Sequence, residues 1–359
     1  MATTNWLSSL AQSWCIRALS HGPVPAHVAF IMDGNRRFAK RRARDSKYGH
    51  LLGWTALQSS LEWCLDLGVR VVTVYAFSIE NFKRDPEEVK YLFDMMIDKL
   101  QLLSTESELV ERHRIRIRIC GQVSLLPLPV QQAAYDAERR TARHSGAILN
   151  ICIPYTSRNE MAHAVSRVRS ARETCSIAPT PPRSPFERAP TPSSSALATD
   201  PPSVERDSPD GSREDLSDLS PAELDAMTRQ VEAKLYTAGC PPVDILLRTS
   251  GECRLSDFLL WQVCRSTTLQ FVAPSWPEFS FWTFLPCLLD FQLARLGRSA
   301  QPPAFTFPTQ LTWDPSRYPS ALTASTLLLP AHEKTEVIGG EEAAYGSPPL
   351  EPTHFAAAQ

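Results

Sequence analysis

VRVVTVYAFSIENFKRDPEEVKYLFDMMIDKLQLL, residues 69–103, reads as one β–α unit. Its first nine residues are an almost unbroken apolar and β-branched run, the pattern of a strand buried on both faces. A polar loop follows. Pro86, Glu87 and Glu88 then open a stretch with apolar residues at helical spacing, which suits a helix start because Pro needs no amide partner there and acids favour the positive end of the helix dipole.

The same unit recurs on either side. Apolar runs stand at HVAFIM (27–32), IRIRIC (115–120), AILNICIPY (147–155), VDILLRT (243–249) and LQFV (269–272). Helical patterns lie between them: 51–68 ending on Gly68, 129–146 ending on Gly146, and 220–239, which opens with a Ser220/Glu223 capping box and closes on Gly239. Strands alternating with helices imply an α/β fold, a single domain with a central, mostly parallel sheet flanked by helices.

Two regions break the alternation. Of 30 Pro, ten fall within 172–221 and nine after 300, amid Ser, Thr and Ala with few aliphatic clusters. Such segments bury too little apolar surface to offset chain entropy. The expected organisation is therefore an N-terminal amphipathic helix over 1–19, a folded domain over 20–298 interrupted by a disordered insert at 175–215, and a low-complexity tail over 299–359. In residues 5–19, Trp6, Leu7, Leu10, Trp14 and Leu19 sit near helical spacing, either as a helix on a membrane surface or as one packed on the core.

Bulk properties exclude several classes. A formal charge of −2 gives no global electrostatic case for nucleic acid, so a basic site must be local. The nine Cys are never closer than eleven residues, so there is no CxxC pair or dense disulfide frame, as expected of reducing surroundings. Neither a Walker loop nor GxGxxG nor GxSxG is present.

In an open parallel sheet, ligands bind beyond the carboxyl ends of the strands. That rule selects MDGNRR (32–37), FSIENFKR (77–84), PYTSRNE (154–160) and RTSGECRLSDF (248–258). Arginine forks, hydroxyls and glycine-turn amides at these ends are the parts of a phosphate site. Asp33-Gly34-Asn35 also reads as a turn with Asp capping a helix, and the six Arg or Lys within 36–44 as a solvated face. A lone Asp33 among arginines makes sense if Mg2+ joins it, since magnesium takes one or two carboxylates plus substrate phosphate oxygens.

HVAFIMDGNRRFAK, the Gly49-His50 pair, VTVYAFSIENFKR, ICIPYTSRNE, DILLRTSGECRLSDFLLWQ and WPEF (276–279) together resemble the cis-prenyltransferases, the undecaprenyl diphosphate synthase family, and among them the eukaryotic, fungal-like dehydrodolichyl diphosphate synthase catalytic subunits. The resemblance implies condensation of isopentenyl diphosphate onto farnesyl diphosphate to make a long-chain polyprenyl diphosphate for dolichol synthesis and protein glycosylation. It further implies Mg2+ and the allylic diphosphate on Asp33, helped by Gly34, Asn35, Arg36 and Arg37, with Phe38 bordering the site. His50 would lie near that diphosphate; Ser78, Asn81 and Arg84 near the reacting centre; Arg248, Arg254 and Ser256 on isopentenyl diphosphate. Val89, Leu92, Phe93 and Met96 are expected to line a tunnel for the growing chain.

Two departures and one further match bear on this. Ser46 stands where relatives commonly carry Arg, with Arg44 and Lys47 beside it, and the stretch VCRSTTLQFVAPS (263–275) lacks a Glu that helps bind metal in bacterial enzymes but is absent from eukaryotic catalytic subunits. Arg295-Leu296-Gly297 matches the Arg-x-Gly that crosses to the partner's site in homodimers; in two-component enzymes a non-catalytic, Nogo-B-receptor-like subunit supplies it. The resemblance also implies peripheral association with the cytosolic face of the endoplasmic reticulum membrane, or with lipid droplets. A non-catalytic scaffold subunit of the same synthase would have lost Asp33 and the arginines, and a nucleic-acid module has only residues 36–44 in its favour.

Overall fold

The computed structural model describes residues 2–176, 220–296, 314–320 and 322. Nearly all of the insert expected at 175–215, most of the tail and Gly297 lie outside the described residues.

Six strands form one sheet in the order β3-β4-β2-β1-β5-β6. They are β1 (His27–Ile31), β2 (Val71–Tyr75), β3 (Ile115–Cys120), β4 (Ala147–Cys152), β5 (Ile245–Arg248) and β6 (Thr268–Phe271), and every pairing is parallel. β1, β4 and β5 are buried along their whole length, as their unbroken apolar runs require. Edge strand β3 instead alternates, with Ile115, Ile117 and Ile119 inward and Arg116 and Arg118 half-buried.

The helices are α1 (Ala2–Leu19), α2 (Asn35–Arg41), α3 (Ser46–Leu67), α4 (Pro86–Thr105), α5 (Glu108–Arg112), α6 (Leu128–Thr141), α7 (Ser157–Ser176), α8 (Pro221–Glu232) and α9 (Phe281–Leu296). α3 starts earlier than its apolar pattern, because Asp45 caps it by accepting from the Tyr48 amide, and it ends at Gly68 in the left-handed region. α6 stops five residues short of Gly146. Thr141 and His144 turn toward β3, where Thr141 Oγ accepts from the Ile117 amide and His144 Nδ1 bonds the Ile115 carbonyl. Gly146 is needed for a close approach instead, since a Cβ there would meet the His113 carbonyl oxygen at 2.0 Å. α8 keeps its capping box but ends at Glu232, after which the chain turns so that Tyr236 and Thr237 amides reach the buried Glu160 carboxylate.

α1 is half committed to the core: Ile16 and Leu19 are buried while Leu10 and Trp14 are exposed. Residues 314–320, within the expected low-complexity tail, fold against edge strand β3. Arg317 donates to the Ile119 carbonyl at 2.6 Å, and the buried Tyr318 hydroxyl bonds Glu138 at 2.7 Å. All described cysteines are free thiols, and among the described residues no helix is long and apolar enough to cross a membrane.

Candidate active site

The centre of the site is made where two neighbouring strands end. Ile31 and Arg248 are register partners at the ends of β1 and β5. Two residues past Ile31, the Asp33 amide donates to Thr249 Oγ1 at 3.0 Å, and that hydroxyl donates to the Asp33 carbonyl at 2.8 Å. The turn thus holds Asp33 where Arg248 donates to Oδ2 at 2.9 Å, with Arg37 3.2 Å from the same oxygen and the Gly34 amide 2.6 Å from Oδ1. Asp33 is not the helix cap: the cap position of α2 is Gly34, which makes no side-chain cap bond. Gly34 has φ of 96°, and a Cβ there would lie 2.6 Å from Ser250 Oγ, so no larger residue fits without displacement. Burial opposes ionisation of Asp33, but the hydrogen bond and charge of Arg248, the Gly34 amide and Arg37 outweigh it and hold the carboxyl below its usual range.

After β2 the chain makes a single 3-10 turn, Ile79–Lys83, with Ser78 as its cap. Asn81 Oδ1 accepts from the Ser78 amide at 3.0 Å. Arg84 then pairs with Glu88 at 3.0 Å, one turn into α4, while Arg36 reaches Glu88 at 3.5 Å and His50 lies 3.9 Å away. Burial, reinforced by the charge of Arg84, lowers the His50 pKa to about 4, so its ring is neutral near pH 7. Glu88 therefore organises Arg36, Arg84 and His50 from three segments. The sequence shows Glu88 only as a helix-opening acid; its position four residues after Arg84 was the available signal.

The third segment, 249–259, is strained. Among the described residues, Ser250, Ser256, Asp257 and Leu259 have positive φ without being glycine, which costs about 1 kcal/mol or more each. Several contacts hold this shape: Ser256 Oγ accepts from Arg248 at 2.8 Å, Arg158 Nε donates to Asp257 at 2.8 Å, and the Ser157 amide donates to the Asp257 carbonyl at 2.7 Å. Arg37 and Arg254 meet over Glu252, at 2.8 and 3.2 Å. Backbone strain of this kind is characteristic of functional loops.

These segments enclose one end of a cavity of about 710 Å3. Asp33, Asn35, His50, Ser78, Asn81, Arg84, Arg248, Arg254 and Ser256 all lie on its wall. Gly34, Arg36 and Arg37 are not on that wall; the two arginines are tied to Glu88 and to Asp33 and Glu252, respectively. Phe38 does not border the cavity; it is buried behind α2 and stacks on Tyr48, ring centroids 6.2 Å apart. The cavity's other end is apolar, with Leu57 on one side and Leu92, Met96, Leu100 and Leu103 on another. Of the tunnel residues expected on α4, Leu92 and Met96 line it. Phe93 instead packs on Phe77 at 5.3 Å, and Val89 packs against the core.

Arg44 does not take the place of the arginine missing at Ser46, since its guanidinium lies over the Tyr48 ring at 5.8 Å and off the cavity wall. Arg295 is held by Asp244 at 2.7 Å beside the N-terminal ends of β1 and β5, the edge of the sheet away from Asp33. As to a metal, no cluster of three or more His, Cys, Asp or Glu occurs among the described residues. Asp33 nevertheless stands on the wall, as does Asn35, whose buried Oδ1 lies against Gly53 of α3. A lone carboxylate ringed by arginines on that wall suits a hard cation that brings phosphate ligands with it.

Residues 31–297 match the prenyltransferase family model of undecaprenyl diphosphate synthase. A dehydrodolichyl diphosphate synthase complex subunit of Homo sapiens is 38% identical over 285 residues, covering 79% of this chain and 72% of the relative. Its counterpart in Schizosaccharomyces pombe is 35% identical over 288 residues, covering 80% and 92%. Among solved structures, lavandulyl diphosphate synthase from Lavandula x intermedia in complex with dimethylallyl diphosphate superposes with a TM-score of 0.58 at 25% identity, covering 75% of this chain and 95% of that one. With a parallel α/β sheet, an arginine-ringed Asp at the strand ends and an apolar tunnel behind it, this chain belongs to the undecaprenyl diphosphate synthase family and is a cis-prenyltransferase.

Proposed function

We propose that the protein extends farnesyl diphosphate with isopentenyl diphosphate units, making the long-chain dehydrodolichyl diphosphate from which dolichol for protein glycosylation derives. The observation that carries this is the meeting of Asp33 and Arg248 at 2.9 Å at the polar end of a cavity whose other end is hydrocarbon-lined. Diphosphates fit the first environment and a polyprenyl chain the second. A non-catalytic scaffold has no use for so many ordered guanidiniums, and the scaffold reading is set aside.

On this reading Asp33, ionised at neutral pH, would hold Mg2+, with Asn35 beside the allylic diphosphate. When bound, the metal neutralises charge on the departing diphosphate. Arg36 and Arg37 clamp the allylic diphosphate while Gly34 holds the turn that positions Asp33, and Arg248, Arg254 and Ser256 hold isopentenyl diphosphate. Neutral His50 offers a hydrogen bond to the allylic diphosphate. Ser78 and Asn81, fixed by their mutual cap, and Arg84, fixed by Glu88, orient the two substrates about the reacting carbon. The isopentenyl double bond attacks the allylic carbon, the carbon–oxygen bond to diphosphate breaks, and the adduct loses a proton to give the new double bond. Arginines aimed at the leaving group and alignment of the two substrates supply the rate.

The active form is proposed to be a heteromer with a Nogo-B-receptor-like subunit, peripheral on the endoplasmic reticulum membrane. The intramolecular pairing of Arg295 with Asp244 favours a partner as the source of the crossing Arg-x-Gly over a homodimer of this chain. A surface for it is offered by α9 and edge strand β6, where Leu289, Leu293, Leu269 and Phe271 are exposed. The test is to incubate the purified chain, alone and with that subunit, with farnesyl diphosphate, labelled isopentenyl diphosphate and Mg2+. Long-chain polyprenyl product is expected with the partner; no incorporation in either arm would overturn the reading, and robust elongation by the chain alone would remove the partner from it.

A further inference from the structure

The turn between α2 and α3 carries charge that the active site does not use. Arg36, Arg37 and Arg41 are paired, with Glu88, with Asp33 and Glu252, and with Glu278. Lys40, Arg42, Arg44 and Lys47 are all exposed, and among the described residues none has a carboxylate partner. Three of them are nevertheless held in place. Arg42 lies 5.0 Å from the centroid of the Phe38 ring, Arg44 lies 5.8 Å from that of Tyr48, and Lys47 lies 5.1 Å from that of Tyr91. Since Phe38 and Tyr48 are themselves stacked at 12°, two guanidiniums rest on one aromatic pile. Cation–π contact fixes these groups without neutralising them.

The same turn exposes apolar surface. Tyr48 and Leu51, one helical turn apart on α3, are 36% and 52% exposed. His50, Gly53, Trp54 and Leu57, on the adjoining face of α3, line the cavity. A cluster of fixed, unneutralised cations around exposed apolar side chains is the pattern that binds an anionic lipid surface, cations on headgroups and apolar groups at the acyl boundary. The chain's net charge of −2 makes this a local field, not a property of the whole protein.

We propose that the α2–α3 turn is the face by which the protein rests on an anionic phospholipid surface. The purpose of such a contact rests on the prenyl-transfer reading, since His50, just beyond this turn, sets the polar end of the cavity near the membrane surface; the binding itself does not. α1 is the less suitable contact: its Trp14 and Leu10 are exposed, but its one charged residue is Arg17, which shares a pocket with Glu62 and Asp66 of α3, so it offers no cluster of cations. The two places are also distinct, since Lys47 and Glu62 are separated by about 22 Å of helix.

The test is sedimentation of the full chain with vesicles of phosphatidylcholine alone or mixed with phosphatidylserine, with isopentenyl transfer measured in detergent in parallel. Binding is expected only with phosphatidylserine, weakening with salt and not displaced by inorganic phosphate or glycerophosphoserine, which carry the charge without the surface. At about fivefold per cation, the combined Lys40→Gln, Arg42→Gln and Lys47→Gln variant should bind roughly 100-fold more weakly, with its melting temperature and detergent activity retained. Leu51→Ser should weaken binding further. Equal binding to both vesicle types overturns the proposal. So does displacement by the soluble anions, or full binding by the triple variant with loss on Trp14→Ser, which would assign the contact to α1. A chain that binds as expected but transfers no prenyl group in detergent leaves the surface standing and removes the enzymatic reading.

Discussion

Arg248 Nη2 lies 2.9 Å from Asp33 Oδ2, joining residues 215 positions apart in sequence. The contact exists because β1 and β5 are adjacent and end in register, so Arg248, the last residue of β5, faces the turn that follows β1. Arg248 is almost wholly buried, and a buried guanidinium needs a carboxylate or an anionic ligand beside it. In this site it has Asp33 and the Ser256 hydroxyl, on the wall of the cavity.

Glu88 holds Arg84 and Arg36 without being placed on substrate itself. Glu88→Gln keeps the shape and removes the charge, so the arginines lose their fixed positions. Steady-state kinetics should show KM for the diphosphate substrates raised about tenfold or more, the value of a charged hydrogen bond, with a smaller fall in kcat. An unchanged KM would show that Glu88 does not position them.

Met95 is half-buried on the tunnel wall and belongs to a flexible residue type. Met95→Trp should narrow the tunnel and shift the product distribution to shorter chains, while the first condensation onto farnesyl diphosphate proceeds near the wild-type rate. Chromatography of the dephosphorylated products reads this directly. An unaltered length distribution would mean that the growing chain does not follow this wall.

His27 is buried, with Nε2 bonded to Thr73 at 2.7 Å and Nδ1 to the Pro241 carbonyl at 2.9 Å. Burial lowers its pKa to about 4. Between that value and the ordinary 6.5, the unfolded chain binds more protons than the folded one, so stability falls as pH drops through this window. Each unit is worth about 1.4 kcal/mol, which gives a loss on the order of 3 kcal/mol by pH 4 from this group; neutral His50 adds to it in the same direction. Urea denaturation at pH 7 and pH 5 should show the decline, and His27→Gln should flatten part of it. Stability unchanged between those pH values would refute the assignment.

Tyr318 donates its hydroxyl to the buried Glu138, which also accepts the Ile119 amide. Tyr318→Phe leaves that carboxylate one donor short and should destabilise the protein by about 1–3 kcal/mol. Truncation after residue 313 should cost more, because it also removes Arg317 from the Ile119 carbonyl at the edge of β3. Equal stability of the truncated and full chains would show that the segment only rests on the sheet.

Much of this was legible in the sequence because buried parallel strands are continuous apolar runs and their ends must carry the ligand groups. Asp33, Ser78, Asn81, Arg84 and Arg248 follow from that rule together with the family resemblance. Phe38, expected at the site from the resemblance alone, faces the core instead and stacks on Tyr48. The share of Glu88 in the site depends on the placement of α2 and α3 against α4, which no local pattern carries. Nor does composition reveal that Arg317 and Tyr318, in a Pro-rich stretch, find partners on β3 and α6. Helix ends at Gly146 and Gly239 were misread because glycine also serves close backbone approach and left-handed turns outside helices.

The central claim is that Asp33, held by Arg248 and Arg37, is the metal-binding carboxylate of prenyl transfer. The most direct measurement compares Mg2+-dependent incorporation of labelled isopentenyl diphosphate by wild type and Asp33→Ala, each with the partner subunit and each shown to be folded by its melting curve. Loss of at least ~100-fold in kcat, not restored by raising Mg2+, is the predicted result, as for removal of a charge-stabilising group from a transition state. Elongation by folded Asp33→Ala at the wild-type rate would contradict it.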